Sequence, residues 1–220
     1  LPLRYLEDIG VDVARNVELV LATHWHDDHV SGISDLYGCA AGAKLGISLP
    51  LLEDEFIKFA GSFHSFPTKR FTSGVEEFGK LLELAFERSP PTIVYCKCGQ
   101  TLKSWGRGTL SHGVPIRLEA ISPSSLDVTR FLGWAAAQTD WVSTALLRAT
   151  PSRNDVSVAS WLAIGSDAIL LGADLETGNA DYGWGAVASG AHSISGKASL
   201  GSRLVHNQKA MAAASATAER

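Results

Sequence analysis

Apolar residues along the chain fall into two kinds of pattern. Short continuous or alternating runs with polar flanks read as strands, and stripes at helical spacing read as helices. The run "VELVLAT", Val17 to Thr23, predicts a buried strand. "HVSGISDLYGCAAGA" predicts a short helix closed by glycine, and "AKLGIS" a second strand. Residues Leu51 to Arg88 read as helical. Within them, Val75, Phe78, Leu82 and Phe86 fall on one face and predict a core-facing stripe. "PPTIVYC" reads as a strand, and the glycine-rich "GQTLKSWGRGTLSHG" as a loop. "VPIRLEAIS" alternates as a strand does. "SPSSLDVTRFLGWAAAQ" opens a helix with Ser124 or Ser125 as N-cap and Asp127 in the first turn. In "DVSVASWLAIGSDAILLGAD" two apolar strands flank a tight hairpin at Gly165-Ser166-Asp167, and the second ends at Gly172-Ala173-Asp174. Strands, helices and strands again indicate a layered α/β architecture. "NQKAMAAASATAER", Asn207 to Arg220, has no stripe of large apolar residues and reads as a frayed tail or an isolated surface helix.

Composition narrows the function classes. With 220 residues the chain suits one generous domain or a domain with an insertion, long enough to bury a core. Charged residues make up 19% and the net charge is -4, so no global basic footprint for nucleic acid exists, which still leaves room for a local basic groove. No apolar run approaches a membrane span, no signal peptide opens the chain, and the first residue is Leu1 rather than Met. The three cysteines, Cys39, Cys96 and Cys98, form no disulfide framework. Cys96 and Cys98 flank Lys97 without a second pair to complete a metal site, so a packing role is expected. A reducing compartment, the cytoplasm, is the expected setting.

The picture changes at "THWHDDH", Thr23 to His29. Three histidines and two aspartates crowd one turn directly after a buried strand, which folding alone does not require. Such a set at fixed places arises by chance on the order of once in ten thousand chains of average composition. His24 and His26 alternate on extended backbone and can point the same way. Asp28 and His29 follow after the chain turns, so two ligand pairs can serve two adjacent ions. Imidazole suits zinc, and mixed imidazole–carboxylate sets also suit manganese or iron. Trp25 is expected to pack, and Asp27 to cap or orient.

These residues carry a resemblance. "THWHDDH" matches the H-x-H-x-D-H signature of the metallo-β-lactamase fold superfamily, and "LVLATHWHDDHVSGI" resembles its strand, turn and following helix. Asn154, Ser157 and Val158, then "WLAIGSDAILLGADLE", together with Ser122 and Pro123, look most like its nuclease-type branch, the DNA-uptake competence (ComEC-like) metallohydrolases. The resemblance is strong from Val17 to Ser48, good from Val114 to Trp184 and weak between. It implies an α/β fold, a four-layer αββα sandwich with the metal site at its edge. The domain would span 1–206, with a helical insertion at about 50–110 and a tail at 207–220. It also implies zinc, at one or two sites, with manganese or iron as alternatives.

The implied ligands are His24, His26, Asp28, His29 and Asp174, the last as the carboxylate that bridges two metals. His206 is the only histidine near the place of a distal ligand. Two departures stand out. The superfamily places a strand pair before the signature strand, where only Leu1 to Asn16 stand here. The branch's His-His-Gly-Ser turn is absent after "GKASL", so the sandwich is expected to be incomplete at both ends. His64, His112 and His192 read as ordinary loop histidines.

A metal-dependent hydrolase follows, with a metal-activated water and Asp28 as catalytic base. A phosphodiesterase or nuclease, acting on a phosphodiester or nucleic acid, is the leading expectation, with Lys97, Lys103 and Arg107 as candidate phosphate contacts. The alternatives are a lactam, lactone or thioester hydrolase on the same fold, and a truncated domain without catalysis.

Overall fold

The apolar run in "VELVLAT" becomes strand β1 (Leu19–Ala22), whose side chains divide between two cores. Val20 and Ala22 face one cluster, and Leu19 and Leu21 pack into another on the opposite side. The structure is a computed structural model that describes residues 2–48, 72–90, 92–106, 113–139, 153–178 and 182–189. β1 pairs in parallel with β2 (Lys44–Ile47), and β2 in parallel with β3 (Ile93–Tyr95). Parallel neighbours need crossovers, and helices supply them. Ahead of β1 stand α1 (Pro2–Asp8) and α2 (Val13–Asn16), where a strand pair is the superfamily's habit.

After β1 come α3 (Asp27–Val30) and α4 (Ile33–Cys39), where the sequence pattern suggests one helix. Gly32, at φ 74, breaks them apart, because a left-handed residue cannot continue a right-handed turn. Helix α5 (Thr72–Glu87) lays Val75, Phe78, Leu81, Leu82 and Ala85 against Tyr37, Leu45 and Ile47 in the first core. Glu77 of α5 accepts hydrogen bonds from both the backbone N–H and the hydroxyl of Ser34, tying α5 to the start of α4.

A second sheet is antiparallel, in the order β4 (Thr101–Trp105), β5 (Ile116–Ala120), β6 (Ser160–Ile164), β7 (Asp167–Leu171). β6 and β7 form the expected hairpin, with Ile164 opposite Asp167 and a two-residue Gly165-Ser166 turn. Cys96, Leu102, Ala120 and Val158 fill the space between the sheets with Leu19, Leu21, Val94 and Leu118. The outer face of the second sheet carries Ile121, Ala159, Trp161 and Leu175, covered by Val187 of α7 (Gly183–Ser189). The layers therefore run helices, sheet, sheet, helix, an α/β sandwich of the metallo-β-lactamase type in partial form.

Helix α6 (Ser125–Thr139) starts with a reciprocal cap. The Asp127 N–H donates to Ser124 Oγ at 2.9 Å, and the Ser124 N–H donates to Asp127 Oδ2 at 2.8 Å. Ser124 is thus the N-cap.

The stretch at about 50–110 is not helical throughout. Its helical pattern holds over Thr72–Glu87, whereas β3 and β4 join the two sheets. β4 also replaces the expected glycine-rich loop: Leu102 is buried between the sheets, and pairing with β5 outweighs the neighbouring glycines. His64, Arg107, His112, His192, His206 and the tail at 207–220 lie outside the described residues. No helix among the described residues is long and apolar enough to cross a membrane.

A candidate metal centre at the strand ends

The histidine turn leaves the C-terminal end of β1, and Asp174 leaves the C-terminal end of β7. The Val158 N–H donates to the Thr23 carbonyl at 3.0 Å, which joins the two sheets at this point and brings the strand ends together. Ligand atoms of His24, His26 and Asp174 all lie within 4.8 Å of one another. His24 Nε2 stands 2.9 Å from His26 Nδ1 and 3.5 Å from Asp174 Oδ2. The other carboxylate oxygen, Asp174 Oδ1, is 3.2 Å from His29 Nε2. Asp174 therefore turns one oxygen to each histidine group. Asp28 stands at the rim, its side chain 81% exposed, with Oδ2 3.8 Å from His29 Nε2.

The backbone delivers Asp174 through an unusual residue. Ala173 has φ 46, a left-handed conformation that costs a side chain with a Cβ about 1–2 kcal/mol. Strain of this kind persists where the surroundings over-determine it, commonly at functional sites. On the other side, Trp25 is fully buried between the rings of Phe78 and Phe131, at 5.8 and 5.3 Å. Asp27 points away from the cluster, and its Oδ1 accepts the N–H of Gly74 in the first turn of α5 at 2.6 Å. The expected roles of Trp25 in packing and Asp27 in capping both match this geometry.

His24 is fully buried. Burial pushes its pKa down from 6.5 to about 4, aided by His29 and His26, while Asp174 and Asp28 oppose the shift. The ring is therefore neutral near pH 7 and has a lone pair to offer. Two hydroxyls flank its other nitrogen: Thr23 Oγ1 at 3.1 Å and Ser157 Oγ at 3.2 Å from Nδ1. Ser157 is 133 positions away in the chain, and no spacing rule points to its contact with His24.

The donor set suits a zinc-type ion. Two ligand atoms at ~2.0–2.1 Å from a tetrahedral ion stand roughly 3.3 Å apart. The separations of 2.9 and 3.5 Å bracket that value. Among the described residues no cysteine joins this cluster, and burial pushes the thiols of Cys96 and Cys98 up to about 12, with Glu119 and Asp127 adding to the effect at Cys98. Of the candidate phosphate contacts, Lys103 is committed to Glu18 at 2.5 Å, and this hydrogen bond holds the Glu18 carboxyl below its usual range.

The chain is similar to the hydroxyacylglutathione hydrolases of Yersinia pestis (strain Pestoides F) and Yersinia pseudotuberculosis (serotype O:1b), 30% identical over 112 residues in each case. The aligned part covers 47% of this chain and 40% of either relative, so the chain spans well under half the length of the curated relatives it matches. No family model and no solved structure matches the chain. These relatives are members of the metallo-β-lactamase superfamily, the same superfamily to which the histidine turn and the layer order point.

Proposed function

We propose that the chain is a metal-dependent hydrolase whose substrate is a thioester. The carrying observation is Asp174, with one oxygen toward His24 and the other toward His29. His24 and His26, with Asp174, would hold one divalent ion; His29, Asp28 and the second oxygen of Asp174 would hold another. Zinc fits the imidazole-rich set best, with manganese or iron as alternatives. A bound ion supplies Lewis acidity and lowers the pKa of its water toward ~7. The residues do the rest. Asp174 fixes the spacing between the two histidine groups. Exposed Asp28, beside His29, takes the proton from the attacking water. Buried His24 stays neutral and keeps its lone pair directed into the cluster. His206 is a further candidate ligand from the sequence beyond the described residues.

The thioester reading is favoured over the phosphodiester one by two observations. The similar proteins are hydroxyacylglutathione hydrolases, whose substrate name denotes a thioester of glutathione. Lys103, one of three cations available for phosphate, is neutralised by Glu18. Free thiols at Cys39, Cys96 and Cys98 accord with a reducing, cytoplasmic setting.

The test is a zinc-loaded preparation offered a hydroxyacyl thioester of glutathione, bis-p-nitrophenyl phosphate and nitrocefin side by side. Thioester turnover that stops with chelator and returns with zinc is the expected result. Cleavage of the phosphodiester alone would move the chain to the nuclease-type branch. Failure to take up any metal would leave a retained fold without catalysis.

A further inference from the structure

We propose that Ser157 is a positioning residue that sets the tautomer of His24 and the approach of Asp174 together. Its hydroxyl touches both halves of the site. Ser157 Oγ lies 3.2 Å from His24 Nδ1 and accepts the backbone N–H of Asp174 at 3.3 Å. The hydroxyl is itself held in place. The Ser157 N–H donates to the Asn154 carbonyl at 3.0 Å. The Ser122 hydroxyl donates to the Ser157 carbonyl at 2.6 Å and accepts the Ala159 N–H at 2.7 Å. Both serines are buried, so water does not compete for these bonds.

The consequence follows from donor and acceptor capacity. A hydroxyl oxygen has two lone pairs. One receives the Asp174 N–H, and either the other or the hydroxyl proton faces His24 Nδ1. With His24 protonated on Nδ1, that nitrogen donates to Ser157 Oγ, and Nε2 presents its lone pair toward His26 and Asp174. The opposite tautomer would put a proton on Nε2, where a metal ligand needs none. Thr23 Oγ1 shares the contact with His24 Nδ1, at 3.1 Å, but Ser157 Oγ is the hydroxyl that also holds Asp174, and so it links a ligand from the histidine turn to a ligand from the β6–β7 hairpin.

The inference rests on the metal-binding reading, because only a metal ligand needs Nε2 free of a proton. In chelator, a long-range proton–nitrogen correlation spectrum of the wild-type chain should show His24 as the Nδ1–H tautomer. Ser157→Ala should shift His24 toward a mixture of tautomers and weaken zinc binding ~10–100-fold, the scale seen for partners of metal-ligating histidines. A His24 carrying its proton on Nε2 in the wild type would overturn the proposal, and that reading holds even where the variant fails to fold. A folded Ser157→Ala with wild-type zinc affinity and tautomer would overturn it as well. If the wild type takes up no zinc, the proposed function falls, and the tautomer measurement still decides the role of Ser157.

Discussion

Asp174 can serve two histidine groups because a carboxylate has two oxygens and the hairpin end presents both. Replacing it with asparagine keeps the shape but removes the charge. Asp174→Asn should lower zinc affinity and activity together, by ~10-fold or more, measured by chelator competition and thioester turnover. Asp28→Asn should separate the two. Its side chain is at the rim, 3.8 Å from His29, so activity should fall by ~100-fold or more while binding of the first metal ion changes little. Equal loss of activity and of first-ion binding in Asp28→Asn would place Asp28 among the ligands of the first ion and contradict its role as base.

The pH response belongs to the same scale. The folded pKa of His24 is lowered from 6.5 to about 4. The unfolded chain therefore binds a proton at this position that the folded chain refuses. Stability fully present above pH 6.5 should be lost progressively as pH falls toward 4. Thermal melts of the metal-free protein across that window check this, and a flat profile would contradict the burial of a neutral His24.

At the scale of elements, the histidine turn is held by a helix that comes much later in the sequence. The N-terminus of α5 offers an N–H to Asp27, at the favourable end of the helix dipole. The approach is so close that a Cβ on Gly74 would lie 2.6 Å from both Asp27 Oδ1 and the Trp25 carbonyl. The carbonyl is backbone and cannot swing aside. Gly74→Ala should cost about 1–3 kcal/mol, the usual penalty for overpacking, and should weaken zinc binding by disturbing the turn. Urea denaturation and chelator competition read the two effects. A neutral outcome would show that α5 does not brace the site. The sequence shows the stripe of α5 but not this role, since glycine inside a helix is otherwise only a weak helix former.

At the scale of the molecule, the site exists only where the two sheets meet. Leu102 is buried between them with Leu19, Leu21, Val94 and Leu118. Leu102→Ala should cost about 2–5 kcal/mol, and the sheets should still unfold in one transition because they share that core. Separate transitions by fluorescence and by zinc release would show that the sheets are independent units. The polypeptide at 207–220, by contrast, is poor in large apolar residues, and its deletion should cost less than ~2 kcal/mol in thermal melting.

The sequence by itself determined the parts that local pattern controls. Alternation and short apolar runs mark β1, β2, β5 and the β6–β7 hairpin, since the pleat demands period two and the turn demands glycine. The crowding of His24, His26, Asp28 and His29 marks a candidate metal turn, because potential ligands from one short loop have a readable spacing. Tertiary structure decided what joins distant segments. It turned a glycine-rich stretch into β4 by giving Leu102 a core and a pairing partner. It divided the turn's residues, drawing His24, His26 and His29 toward Asp174 and leaving Asp28 at the rim. It also set Ser157 against His24 across 133 positions, a contact no local rule encodes, because hydrogen bonds act between neighbours in space and not in sequence.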